Sequence, residues 1–170
     1  MIEHLSLAQA FGFVSFILGV LTFYQKDDRK LKIVMMILQF NHVVHFILLG
    51  SVISALSSVI AALRTATSIY SSSKKVATFF IVVGLLSAVL LAESIWDLLP
   101  MIGMAIGTYS LFILKGINMR VGLLIGATFW LANNIIVGSI GGTLLELTNI
   151  AVNGLTVIRL WREKRILNAC

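Results

Sequence analysis

Long apolar runs alternate along the chain with short charged clusters. Seven runs stand out: Leu5–Tyr24, Lys32–Leu49, Ser51–Tyr70, Val76–Ala92, Ile95–Leu114, Val121–Val137 and Gly141–Trp161. At ~1.5 Å per helical residue each approaches the ~30 Å of a hydrocarbon core. Lipid leaves backbone amides unsatisfied, so such runs form helices or closed barrels, and the absence of strict alternation predicts helices. Gly50 and the GSIGG stretch (138–142) permit turns that a Cβ would resist, which makes spans two and three, and six and seven, hairpins.

Composition agrees. Of 170 residues, 59% are hydrophobic and 12% charged, with a mean hydropathy of +1.02, which is a membrane protein's profile and excludes an ordinary soluble enzyme. All 13 Lys and Arg residues fall on one side of a seven-span drawing. They follow span one (Lys26, Arg29, Lys30, Lys32), end span three (Arg64, Lys74, Lys75), separate spans five and six (Lys115, Arg120) or end span seven (Arg159, Arg162, Lys164, Arg165). The loop between spans four and five carries only Glu93 and Asp97. The positive-inside rule then predicts an outside N-terminus and a cytoplasmic C-terminus. Topology accounts for the net charge of +6, so the expected partner is the lipid bilayer and not nucleic acid. The first run, with its positive charges after it, reads as a span and not as a removed signal peptide. The single cysteine, Cys170, reads as a free thiol.

An internal repeat organises the spans. Phe46–Tyr70 (FILLGSVISALSSVIAALRTATSIY) aligns with Asn134–Ile158 (NIIVGSIGGTLLELTNIAVNGLTVI) at an offset of 88 residues, setting Gly50-Ser51 on Gly138-Ser139. Upstream, AFGFVSFILGVLTFYQ and MIGMAIGTYSLFILKG each precede a basic loop. Two three-helix units in tandem would be inverted, and one intervening span restores a parallel orientation about an axis along the membrane normal. The expected fold is therefore an all-α membrane protein of seven transmembrane helices in a 3+1+3 plan. Residues 1–72 form the first repeat, 73–94 the inversion helix and 95–170 the second repeat with its basic C-terminus.

Polar residues within the spans are the candidate chemistry. Glu146, Asn149 and Asn153 share one helical face, and a central acid costs on the order of 3 kcal/mol in lipid, so the stripe should face the bundle interior. It is either a substrate or ion site, or a set of interhelical hydrogen bonds of roughly 0.6 to 2 kcal/mol each. Gln39, His42 and His45 recur at three-residue spacing on span two with Asn41 beside them, as facing candidates for substrate or proton. Two histidines on one helix are too few ligands for a metal site, and none is assigned. Asn133 and Asn134, with Trp130 one turn earlier, gate the outer mouth or cap span six. Arg64 either snorkels to the cytoplasmic headgroups or neutralises an anionic substrate entering from inside. Pro100 kinks span five or sits in its first turn. Gly12, Gly19, Gly103 and Gly107 supply flexibility or close packing.

VVHFILLGSVISALSSVIAALRT, LLPMIGMAIGTYSLF, INMR, GSIGGTLLE and NGLTVIRLWR together resemble the bacterial inner-membrane YgjV family over nearly the whole chain. Ala61 departs from that pattern, which has Asn ahead of the Arg-Thr pair. The resemblance implies an inner-membrane location and no particular activity. More distantly, the 3+1+3 plan resembles SWEET and PQ-loop transporters and the PnuC vitamin-precursor transporters, with Tyr24-Gln25 where a Pro-Gln pair is common. In sugar transporters of that kind an Asn about eleven residues after a Gly faces the substrate, which implies such a role for Asn149 after Gly138.

The function expected is carriage of a small polar solute by alternating access, with Glu146 or a histidine as the candidate for coupling a proton. Asn149, Asn153 and Glu146 would form one wall and His42, His45 or Trp130 the other, without cofactor or enzymatic chemistry. The competing expectation is a binding or assembly protein whose polar residues only join helices.

Overall fold

The computed structural model describes residues 2–25 and 27–167; Lys26 and Cys170 lie outside them. The described chain is all-helical: α1 (Ile2–Tyr24), α2 (Asp28–Leu48), α3 (Val52–Tyr70), α4 (Lys74–Leu91), α5 (Leu98–Ile113), α6 (Gly116–Ile136) and α7 (Ile140–Leu167). A 3-10 turn at Ile95–Asp97 leads into α5.

Local chemistry sets the helix ends. Asp27 caps α2 by accepting from the Lys30 amide at 2.8 Å, and Asp28 in the first turn suits the helix dipole. Asp97 accepts from the Glu93 and Ser94 amides. Pro100 then stands in the first turn of α5, where no intrahelical N–H is required, so it starts the helix and does not kink it. α2 and α6 end alike: Gly50 and Gly138 have φ of 74° and 71°, and the following Ser51 and Ser139 amides reach back to the Phe46 and Asn134 carbonyls, both at 2.9 Å. This left-handed glycine closure satisfies the last carbonyls of each helix. Asp28 and Gly116 begin α2 and α6, and Leu48 and Ile136 end them, 88 positions apart in both cases.

Six helices close into a ring. α1 packs on α2, α2 on α3, α3 on α5, α5 on α6, α6 on α7 and α7 back on α1, while α4 lies outside against α5 and, more lightly, α3. α4 buries only Ala77, Gly84 and Ala88. One end of the ring carries the glycine turns and the other the basic loops. At the α1–α7 contact a Cβ on Gly141 would overlap the backbone of Gly12 and Phe13, so the two helices touch main chain to main chain. Gly103 meets Trp130 and the Gly126 carbonyl, Gly107 meets Arg64 and Gly19 meets Leu145. All four glycines singled out in the sequence are packing positions.

Six of the helices are long and apolar enough to cross a membrane; α7 does not meet that measure. Its polarity is one-sided. Glu146, Asn149 and Asn153 are buried, while Ile140, Leu144, Leu147, Leu155 and Ile158 are exposed.

Candidate functional site

Inside the ring lies a cavity of about 50 Å³ to which all six ring helices contribute. That is room for roughly three to five waters at ~10–15 Å³ each by the same measure. α2 and α6 supply matched walls: Met35 and Leu123, Leu38 and Gly126, Gln39 and Ala127, and His42 and Trp130 all line it, each pair 88 positions apart. α3 adds Arg64, α5 adds Gly103 and Gly107, and α7 adds Leu145, Glu146 and Asn149.

The polar lining is buried and largely unpartnered. Arg64 and His42 are each 3% exposed, and Glu146 and Asn149 are 7% and 6% exposed. Both ring nitrogens of His42, Nε and Nη1 of Arg64, the Gln39 amide oxygen and the Asn149 amide oxygen have no hydrogen-bond partner. Asn149 Nδ2 donates to Glu146 Oε2 at 3.0 Å. Buried polar groups are normally satisfied, and an orphaned one costs ~1–3 kcal/mol. Several facing one cavity are what a polar occupant would satisfy.

Apolar clusters flank this cavity along the helix axes. Towards the glycine turns, the Phe46 and Trp130 rings stack at 5.8 Å and 26°, with Ala55, Leu49 and Val137 around them. Towards the basic loops, Phe23, Leu31, Met35, Leu111, Met119 and Leu123 form a continuous cluster.

The structure divides the residues singled out in the sequence into two groups. Glu146, Asn149, His42 and Trp130 meet at the cavity. Asn153 does not: fully buried, it donates to the Arg120 carbonyl of α6 at 3.1 Å. His45 likewise turns away, its Nδ1 2.7 Å from the Ala8 carbonyl and its Nε2 2.7 Å from Ser139 Oγ, joining α2 to α1 and to the start of α7. The two histidines therefore share no ligand. Among the described residues no group of three or more His, Cys, Asp and Glu side chains is placed to hold a metal ion. Asn133 accepts from Ser54 Oγ at 3.1 Å, a bond between α6 and α3. Asn134 lines a separate shallow pocket with Gly138, Ser139 and Thr143. Both asparagines give their carbonyls to the closure of α6.

Of the two placements expected for Arg64, snorkelling does not hold, since the side chain is 3% exposed. The guanidinium turns inward over Gly107, whose missing side chain makes the room. The readable signal is its company on α3, where Ser57, Ser58, Ala61, Thr65 and Ser68 are all buried, a small and polar inward face.

Several polar contacts escaped the sequence reading. Lys32, read there as the basic start of span two, donates through Nζ to the Ser68 carbonyl at 2.9 Å and the Leu111 carbonyl at 3.1 Å, tying α2 to the ends of α3 and α5. Arg120, 88 positions later, donates to the Gln25 carbonyl at 3.4 Å and pairs with Asp28 at 3.8 Å. Asn41 donates to the Phe11 carbonyl and Ser15 Oγ. Gln9 bridges α1 to the α6–α7 turn through the Gly138 carbonyl and the Ile140 amide.

Residues 6–164 match the model of the Imp-YgjV family, described as a bacterial inner membrane protein. The inner membrane protein YgjV of Escherichia coli (strain K12) is 35% identical over 161 residues, covering 94% of this chain and 87% of that protein. No solved structure matches. A family match across nearly all the ring helices, joined to apolar helices of spanning length, makes this chain a multi-pass inner-membrane protein and a member of the YgjV family.

Proposed function

We propose that the protein is a carrier that moves a small polar solute across the inner membrane by alternating access, with the central cavity as its binding site. The observation that carries this reading is the cavity itself: unpartnered buried polar groups on α2, α3 and α7 line one space inside the ring, flanked by apolar clusters. A bundle in which polar residues served only as glue would pair them, as His45 and Asn41 are paired.

In this proposal all seven helices cross the bilayer, α7 included, because its outward residues are apolar and its polar ones are sequestered in the ring. The N-terminus faces outside and the basic loops face the cytoplasm. α1–α3 and α5–α7 act as two parallel repeats of the 3+1+3 kind found in SWEET transporters, with α4 as the inversion helix. Support comes from the 88-residue correspondence of helix ends, glycine turns and cavity walls. The solute passes unchanged, and the lining contains no Ser, Thr, Cys or Lys to act as a nucleophile.

Rocking of one repeat against the other is testable without knowing the solute. Spin labels at Val52 and Ile140 report the turn end, and labels at Lys30 and Asn118 the loop end; all four sites are surface positions or exposed helix starts. Pulsed distance measurements in lipid nanodiscs should give two populations at each end, with the fraction open at one end matching the fraction closed at the other. Single, narrow distributions at both ends would rule out the carrier and leave a rigid assembly protein.

A further inference from the structure

The cavity contains one cation and one acid, and they do not pair. Arg64 and Glu146 are both more than nine-tenths buried and line the same space, yet no ion pair within 4 Å joins them, while the Arg120 to Asp28 pair elsewhere meets that limit. Opposite charges removed from water without a partner are each unfavourable. A solute with a single negative charge would satisfy Arg64 and leave Glu146 opposed to it; a single positive charge would do the reverse.

Depth along the helices fixes how the two charges are staggered. Glu146 stands six residues into α7 and Trp130 six residues before the end of α6, so both lie ~9 Å below the glycine turns at ~1.5 Å per residue. Arg64 is twelve residues into α3, but a helical side chain leans towards its own N-terminus. Accordingly the guanidinium lies over Gly107, with Nη2 2.9 Å from where a Cβ of that residue would stand. Gly107 is nine residues into α5, ~13 to 14 Å deep. The cationic site is thus roughly 5 Å deeper than the acidic one. Trp130 lines the same cavity, and aromatic rings attract ammonium groups. Gln39 and Asn149, on α2 and α7, line the same cavity and have unpartnered amide oxygens, acceptors for N–H groups.

Resting on the carrier reading above, we propose that the cavity takes a small zwitterion, its carboxylate on the Arg64 guanidinium and its ammonium between Glu146 and Trp130. The small volume restricts it to a compact amino acid or a close relative with few carbons between the two charges.

The test uses purified full-length protein in detergent and five probes at matched ionic strength: glycine, β-alanine, 4-aminobutyrate, acetate and methylammonium. Thermal unfolding should rise saturably with at least one zwitterion and by less than a fifth as much with acetate or methylammonium. R64Q and E146Q, confirmed as folded by circular dichroism, should each weaken zwitterion binding at least tenfold, and R64K should retain part of it. Acetate binding as well as the zwitterions, with E146Q unaffected, would overturn the proposal in favour of an anion site. Methylammonium binding retained in R64Q would overturn it in favour of a cation site. Both outcomes leave the carrier intact. No response to any probe while both ends still show two spin-label populations would reject the zwitterion alone; no response with fixed distances would reject the carrier as well.

Discussion

Asn153 and Asn149 lie on the same face of α7, one turn apart, yet their truncation should have opposite consequences. Asn153 is fully buried and donates its one amide bond across to the Arg120 carbonyl. An interhelical bond of this kind contributes ~0.6 to 1.7 kcal/mol in a membrane bundle. Asn153→Ala also removes buried atoms, partly offset because the Asn153 amide oxygen has no partner to lose. The net expectation is a loss of about 1 to 2 kcal/mol, a factor of roughly 5 to 30 in the unfolding equilibrium. Asn149 instead bonds within its own helix, to Glu146, and its other face borders the cavity. Asn149→Ala leaves room for water and should change stability by less than ~0.5 kcal/mol, while removing a wall of the site. Unfolding by SDS titration in mixed micelles, followed by circular dichroism, measures both. Equal losses of 1 kcal/mol or more would refute the division of this stripe into packing and site, as would a neutral Asn153→Ala.

Three further outcomes are expected. Gly141→Ala sets a Cβ against the Gly12 backbone and should destabilise by about 2 to 3 kcal/mol in the same titration, whereas Gly154→Ala, with nothing within 4 Å, should be neutral or stabilising by up to ~1 kcal/mol. Lys32→Met frees the Ser68 and Leu111 carbonyls and should loosen the loop end, shifting the Lys30 to Asn118 distance towards its open population by roughly tenfold, a change of ~1.4 kcal/mol. Alkaline phosphatase fused after Leu167 should be inactive and a fluorescent protein fused there bright, as a cytoplasmic C-terminus requires; the reverse result would break the seven-span topology.

Much of this architecture was legible in the sequence. The apolar runs located every long helix because the bilayer enforces both length and composition. Gly50 and Gly138 located the two hairpin turns because a left-handed residue at a helix end favours glycine. The site was only partly legible, since a helical wheel gives direction and not depth. Glu146 and Asn153 point the same way, but seven residues separate them, ~10 Å along the axis; at the deeper level the first turn of α6 crosses α7 and takes up Asn153. His42 and His45 are spaced by three residues, hence rotated by about 60° from one another. That rotation directs one to the cavity and the other to α1 and α7. The inward turn of Arg64 depends on Gly107, 43 positions away on another helix, and no local pattern couples those two residues. Lys32 was hidden for the opposite reason: a lysine in a basic loop serves topology so commonly that its bonds to two helix ends leave no trace in the sequence.

The most direct test of a cavity that opens alternately is chemical access from each side of the membrane. Ala127 is small, 3% exposed and on the cavity wall, so a single cysteine can stand there in a C170S background. Right-side-out and inside-out vesicles bearing A127C would be treated with a membrane-impermeant maleimide, with labelling after SDS unfolding as the measure of total thiol. Alternating access requires labelling from both sides, slowed by a bound solute. Labelling from one side only, or from neither while the unfolded thiol reacts fully, would contradict it.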